Sequence, residues 1–310
     1  MKKISKDIIA FIIPLIIIIV LIDIFSFTSI GNDILGRITY STGYTRSGSA
    51  DVRTFIQKVR EDNEATKLIV GDSVARQLFE GLQEENPDYC IATCNQALTF
   101  AGQYLLIDSF LENHPNTTDV YLCVVPMSLR ADLDASLGYN YVVAPFAKEG
   151  LLERLDNSTL EYMEEKYGNL FMQSRMVDFI DDSPINAKIY LNYIREKEQK
   201  ENGETSDVIV SDVNILYLNK INELCEENNV KLHLFSGPVP DNRDQRTFID
   251  KLEIYAQENN YILLKEYVET VLYYDKEMFS DGTHLGDKYE NRENIFRILK
   301  DMRKMIHSFD

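Results

Sequence analysis

The chain has 310 residues, 45% of them hydrophobic and 11% aromatic, which excludes a disordered polymer and suffices for one sizeable domain with an insertion. Its formal net charge at pH 7 is −18. An acidic body of this size disfavours nucleic acid as a partner, because phosphates bind to basic surfaces. The four cysteines and four histidines lack the spacing of a disulfide framework or a metal site, so we predict neither a metal nor another cofactor.

An apolar run covers residues 8–22 and continues to Ile30, about the ~20 residues needed to cross a bilayer. Three interpretations are open: an uncleaved anchor, a signal peptide cleaved near the small residues at 29–31, and a buried core helix. Length and isoleucine content favour the anchor, and the lack of a polar face disfavours the core helix. Three lysines precede the run, which predicts a cytoplasmic N-terminus and an extracytoplasmic remainder. We therefore predict a single-pass protein of the cell membrane, with residues 1–31 as cytoplasmic tip and transmembrane anchor.

Residues 32–66 predict a polar stem followed by a leading helix. From Lys67 onward, short apolar strands alternate with amphipathic helices. The predicted strands are Lys67–Val70, Tyr89–Thr93, Asp119–Val125, Val230–Phe235 and Tyr261–Leu264. This alternation predicts an α/β fold in which helices cover both faces of a five-stranded parallel sheet, a three-layer sandwich spanning residues 67–310.

The alternation breaks over residues 130–211, a segment far longer than an ordinary connection. Helical patterns at 151–155, 160–167 and 185–198 predict a mostly helical insertion that caps the edge of the sheet. A disordered excursion is the alternative, and seven large apolar residues argue against it. They are Tyr162, Tyr167, Phe171, Met172, Phe179, Tyr190 and Tyr193. These side chains fit the core of the cap better than a surface that stacks on sugar rings.

Two short motifs more than two hundred residues apart carry the chemistry. Gly71-Asp72-Ser73 follows the first predicted strand, and Asp281-Gly-Thr-His284 follows the last. A serine hydroxyl is a weak nucleophile that needs an adjacent base, and that base needs a carboxylate to orient it. Because sites in parallel sheets lie at the carboxyl ends of the strands, we predict a triad of Ser73, His284 and Asp281. The structural alternatives are a serine that caps a helix and an Asp-Gly turn; Asp72 is predicted to be structural.

These motifs resemble the first and last blocks of the SGNH, or GDSL-type, hydrolase superfamily. The resemblance covers residue 67 to the end of the chain, and it implies a flavodoxin-like fold. It also implies that Ser73 is the nucleophile, His284 the general base and Asp281 the residue that orients His284. The expected activity is that of a serine esterase or O-acyltransferase working through an acyl-enzyme.

The two middle blocks of the chain depart from this superfamily. Where an Asn-x-Gly-type segment is expected, residues 94–102 contain Asn95 with a displaced Gly102; these are the candidate oxyanion donors. Where a Gly-x-Asn segment is expected after the third strand, residues 123–128 contain neither residue. Loss of one oxyanion donor typically costs ~10²–10³ in rate.

An N-terminal anchor ahead of such a domain resembles envelope members of the superfamily that act beside membrane-bound O-acyltransferases, in alginate O-acetylation or in D-alanyl transfer to teichoic acid. The resemblance implies an enzyme whose partners are an envelope polysaccharide or teichoic acid and a multispanning O-acyltransferase. Transfer is favoured slightly over hydrolysis. The alternative is a non-catalytic assembly or binding partner of the O-acyltransferase, with a decayed oxyanion hole.

Overall fold

A computed structural model of the protein describes residues 2–26, 28, 30–31, 34, 47–61, 63–133, 135–168, 208–286 and 292–309. The first helix, α1 (Lys2–Ser26), covers the predicted anchor, and its large apolar side chains between Ile12 and Phe25 are exposed. Among the described residues, no helix meets the length and hydropathy that a membrane crossing requires. The anchor stays a prediction. The leading helix expected before residue 66 is α2 (Ser47–Val59), and most of the predicted stem lies outside the described residues.

The described part of the chain has an α/β fold built on a four-stranded parallel sheet. Its strands are β1 (Lys67–Gly71), β2 (Tyr89–Thr93), β3 (Asp119–Val124) and β4 (Lys231–Ser236), in the order β2-β1-β3-β4. In the strand register, residue 67 pairs with residues 89 and 119, and residue 119 pairs with residue 231. All four strands therefore end at one edge, and the motif of Ser73 directly follows β1 at that edge.

Side chains of successive strand residues enter two separate apolar layers, as the pleat requires. Leu68 and Val70 of β1 face one layer, and Ile69 faces the other. In β3, Val120 and Tyr121 divide in the same way. Burial on both faces explains why these strands are almost continuously apolar.

The helices divide between the two faces of the sheet. Beside α1 and α2 they are α3 (Ser73–Phe79), α4 (Leu82–Glu85), α5 (Thr99–Asn113), α6 (Ala135–Gly138), α7 (Ala144–Lys148), α8 (Asn157–Tyr167), α9 (Asp212–Glu227), α10 (Arg243–Glu258), α11 (Ile262–Glu269) and α12 (Arg292–Phe309). Helices α2, α5, α9, α10 and α11 contribute to the layer that contains Leu68. Helices α3, α4 and α12 contribute to the layer that contains Ile69. Helices on both faces agree with the predicted layering.

The prediction of a fifth strand at residues 261–264 is wrong, because these residues begin helix α11. A run of four apolar residues fits either a strand or a buried turn of helix. The helical period becomes visible only when the run is extended, since the buried residues of α11 are Leu264 and Tyr267, three positions apart. Two further strands, β5 (Val239–Pro240) and β6 (Tyr273–Tyr274), pair separately from the main sheet.

The predicted insertion is helical where the structure describes it. Residues 139–143 form a π-helical turn between α6 and α7, and this segment packs against α2. The prediction at 160–167 lies within α8, whereas residues 152–154 form only a 3₁₀ turn. Tyr167 is buried and Tyr162 is partly exposed. The helix predicted at 185–198 and the aromatic residues between 171 and 193 lie outside the described residues.

Candidate active site

The turn that presents Ser73 is set by a close approach of two strands. A Cβ at Gly71 would lie 2.0 Å from the carbonyl oxygen of Cys123 in β3, so only glycine fits at the end of β1. The chain then turns into α3, and the Oδ1 atom of Asp72 accepts hydrogen bonds from the N–H groups of Val74 and Ala75 at 2.9 and 3.2 Å. Asp72 is thus the N-cap of the helix that Ser73 opens.

The second oxygen of Asp72 ties this turn to the loop after β3. Oδ2 accepts from the N–H of Val125 at 2.7 Å and from the hydroxyl of Ser128 at 2.6 Å. The carboxyl group is buried, and burial raises its pKa although all four hydrogen bonds favour the charged form. Asp72 has the structural role that was predicted for it. Its link to Ser128 was not predicted, because the two residues are 56 positions apart.

The structure brings Ser73, His284 and Asp281 together. Ser73 Oγ lies 2.8 Å from Nε2 of His284, and Nδ1 of His284 lies 2.8 Å from Oδ2 of Asp281. An ionised carboxylate only accepts hydrogen bonds, so Nδ1 carries the proton in this pair and Nε2 of the neutral ring is left to accept from the serine hydroxyl. This is the arrangement that activates a serine. The catalytic role of the three residues stays a prediction.

Asp281 is held as a carboxylate by its own loop. Its Oδ1 atom accepts from the N–H groups of His284 and Thr283 at 2.8 and 3.1 Å. The backbone hydrogen bond from His284 and then the side-chain hydrogen bond from the same residue lower the pKa of Asp281 to about 2. The side chains of His284 and Asp281 are 34% and 57% exposed, so the dyad opens to solvent and to a substrate.

Helix α3 also fixes the loop that carries His284. Gln77 lies one turn after Ser73, on the same face of the helix. Its side-chain amide donates to the carbonyl of Leu285 at 3.3 Å and accepts from the N–H of Leu285 at 3.1 Å. The nucleophile and the base are thereby connected through a second route. Sequence reasoning missed Gln77, because a polar residue on a helix carries no signal for a partner 208 positions away.

Of the two predicted oxyanion donors, only Asn95 lies in a suitable place. The N–H of Cys94 donates to the carbonyl of Gly71 at 3.0 Å, so Asn95 follows β2 directly beside the turn of Ser73. Its Oδ1 accepts from the N–H of Ala97 at 2.9 Å. Its Nδ2 group donates to no partner among the described residues, which leaves this group available to a ligand.

The structure argues against Gly102 as an oxyanion donor. Gly102 is the fourth residue of α5, where the N–H is the first to have an acceptor within the helix. A Cβ there would lie 2.4 Å from Leu98 Cδ1 and 3.4 Å from Phe146 Cε2. The close packing of this helix against its neighbours explains the glycine.

The loop after β3, where the superfamily would have an asparagine donor, forms hydrogen bonds to Asp72 instead. Two donors of this loop, the N–H of Val125 and the hydroxyl of Ser128, are hydrogen-bonded to that carboxylate. The first amide of α3, that of Ser73, has no acceptor within its own helix. Ser73 N–H and Asn95 Nδ2 are therefore two donors beside this turn that have no acceptor among the described residues.

No metal site accompanies these groups in the described part of the chain, where no three His, Cys, Asp or Glu side chains lie together as metal ligands would. Comparison with models of known families, with curated proteins and with solved structures gave no match. The resemblance to SGNH hydrolases therefore stays a prediction from the two sequence motifs.

Proposed function

We propose that the protein is a serine esterase or O-acyltransferase that works through an acyl-enzyme on Ser73. The hydrogen-bonded series from Ser73 through His284 to Asp281, with 2.8 Å at each step, is the observation that supports this proposal. A structural serine or a simple Asp-Gly turn gives no reason for two loops 211 positions apart to meet in this order.

In the proposed reaction, Nε2 of His284 takes the proton of Ser73 while Oγ attacks the ester carbonyl. Asp281 stabilises the imidazolium that forms. Ser73 N–H and Asn95 Nδ2 donate to the developing oxyanion. His284 then protonates the leaving alkoxide, and an ester on Ser73 remains. In the second half, the imidazole takes a proton from water or from a sugar hydroxyl, which attacks the acyl-enzyme and releases Ser73.

A fluorophosphonate probe tests the enzyme directly, because it reacts covalently with an activated serine. We expect labelling of the full chain in mild detergent, no labelling of Ser73→Ala and slow labelling of His284→Ala. A folded wild-type protein that does not react with the probe would refute the proposed enzymatic activity.

A non-catalytic role is the second candidate, and a specific observation favours it. The loop that should supply the third oxyanion donor is occupied by Asp72, as described above. Such a protein would act as an assembly or binding partner of a membrane-bound O-acyltransferase. It predicts a folded chain that resists the probe and still co-purifies with that enzyme.

We further propose that the protein is anchored in the cell membrane by α1 and that its catalytic domain is extracytoplasmic. The row of exposed apolar side chains along α1 and the lysines at its start support this topology. Protease added to intact spheroplasts is expected to digest the catalytic domain. Digestion only after lysis of the spheroplasts would indicate that the catalytic domain lies in the cytoplasm and would refute the proposed topology.

The proposed acceptor is an envelope glycopolymer, a polysaccharide or teichoic acid, with acyl groups supplied through a multispanning O-acyltransferase. A tether raises the effective concentration of the enzyme near such a donor. With an activated acetyl ester as donor, adding an oligosaccharide acceptor should divert acetyl groups from water to sugar. If acetate is released at the same rate with and without acceptor and no acylated sugar forms, transfer is refuted and the proposed activity is reduced to that of an anchored esterase.

A further inference from the structure

A groove of about 620 Å³ leaves the triad loop at Thr283 and runs along α10. Among the described residues that line it, three are basic, Arg130, Arg243 and Lys251, and one carries a carboxylate, Asp244. The groove therefore carries an excess of positive charge, whereas the chain as a whole has a net charge of −18. The charge of the groove calls for a local explanation, because solubility is already provided by the acidic surface.

The basic residues follow the geometry of the helix. Arg243, Thr247 and Lys251 are four positions apart, so they share one face of α10, and the stripe extends about 12 Å at 1.5 Å per residue. Neither Arg243 nor Lys251 has an ion pair among the described residues. Arg246 of the same helix is different, because Asp241 pairs with it at 2.7 and 2.9 Å and it does not line the groove.

The opposite wall is held in place by the site itself. Arg130 ends the 3₁₀ turn Pro126–Arg130 that follows β3, and Asp72 fixes that turn through Ser128. The guanidinium group of Arg130 lies over the ring of Phe248 in α10, 5.8 Å from the ring centre. This contact holds the positive charge of Arg130 beside α10 at the groove.

We propose that this groove binds an anionic stretch of the acceptor glycan, with phosphate or carboxylate groups along the Arg243–Lys251 stripe. This rests on the proposed function, because Thr283 joins the groove to the loop of His284. Charge-assisted hydrogen bonds hold such groups, while the acidic body repels a polyanion elsewhere, so the groove sets the direction in which the polymer crosses Ser73. Phosphate and carboxylate share this chemistry.

Binding to the full chain with Ser73→Ala separates the groove from catalysis. The probes are fluorescent oligomers of equal length: a uronic acid oligosaccharide, a glycerol phosphate oligomer, a neutral N-acetylglucosamine oligosaccharide and single-stranded DNA. At low salt we expect one of the two anionic glycan probes to bind at least about tenfold more tightly than the neutral one, with the preference lost at high salt. The tighter of the two identifies the anion.

The double variant Arg243→Glu, Lys251→Glu should abolish the preference. Lys300→Glu with Lys304→Glu, on the exposed side of α12, makes the same change of charge away from the groove and should retain it. Circular dichroism and melting temperature establish that both variants are folded.

The proposal of an anion-binding groove would be refuted if neutral and anionic glycans bound equally well. It would also be refuted if both double variants lost the preference for anionic glycans to the same extent. DNA that binds as tightly as the glycans would show a general polyanion surface and would overturn glycan recognition. The fluorophosphonate experiment is read separately. If Ser73 is labelled but binding is not selective for anions, only the proposed role of the groove is refuted. If binding is selective for anions but Ser73 is not labelled, only the proposed enzymatic activity is refuted.

Discussion

The carboxylate of Asp72 supports both sides of the active-site edge, and its replacement by asparagine measures that support. Asparagine keeps one oxygen, which can still accept from Val74 and Ala75. Its NH₂ group replaces Oδ2 and faces two donors, of which the hydroxyl of Ser128 can rotate to accept. The N–H of Val125 cannot rotate, so one buried donor is left without an acceptor.

An unsatisfied buried donor costs about 1–3 kcal/mol, reduced somewhat because asparagine avoids the burial of charge that raises the pKa of Asp72. At roughly 2–4 °C per kcal/mol for a domain of this size, Asp72→Asn should lower the melting temperature by roughly 2–10 °C. Ser128→Ala removes one hydrogen bond to the same carboxylate and should cost about 1.5–3 kcal/mol. Thermal unfolding followed by circular dichroism measures both variants. An Asp72→Asn protein as stable as wild type would refute this account of the edge.

Gln77→Ala loses both hydrogen bonds to Leu285 and should slow fluorophosphonate labelling by up to about thirtyfold, since each bond contributes about 1 kcal/mol to the placement of the loop. Gln77→Glu keeps an acceptor and should be intermediate. Equal rates for all three proteins would show that the loop is held without Gln77. Asp281→Asn should lower the turnover of an activated ester by more than about a hundredfold, because the ring of His284 loses its orientation; a loss below about tenfold would contradict the triad. The pKa of Asp281 is depressed in the folded protein, so its stabilisation is present above its unfolded value of about 3.9 and is lost as pH falls toward about 2. The melting temperature of Asp281→Asn should therefore lie below that of wild type at about pH 6 and approach it at about pH 2, whereas a difference independent of pH would contradict the assignment.

The main sheet could be predicted from the sequence where a strand is an isolated apolar run between polar turns. Residues 67–71, 89–93, 119–124 and 231–236 all meet this condition. Residues 261–264 do not, because they continue without a break into a longer amphipathic segment. The helical period of that segment depends on Tyr267, beyond the apolar run itself. Length and context separate strand from helix here, and composition does not.

The meeting of Ser73 with His284 was predicted on a premise that holds only for Ser73, whose motif follows β1 of the parallel sheet. The motif of His284 was expected after a fifth strand at residues 261–264, which lie in helix α11 instead, and it follows the separate strand β6. The contacts that support the meeting were not predictable in this way. Asp72 with Ser128, and Gln77 with Leu285, join ordinary polar residues across 56 and 208 positions. Gly102 shows the opposite error, since a glycine near the expected place was given a chemical role and the structure explains it by packing.

The proposed oxyanion hole and the proposed groove affect the rate in different ways. Ser73 N–H and Asn95 Nδ2 are the proposed oxyanion donors, the asparagine expected after the third strand is absent, and a missing donor costs ~10²–10³ in rate. This loss slows attack by water and by a sugar hydroxyl alike. A bound acceptor gains from proximity, where effective molarities reach about 10⁵ M in favourable cases, and water has no comparable gain. A groove that held the acceptor, as proposed above, would therefore favour transfer over hydrolysis at any strength of the oxyanion hole, and this proximity is the physical reason to propose an O-acyltransferase.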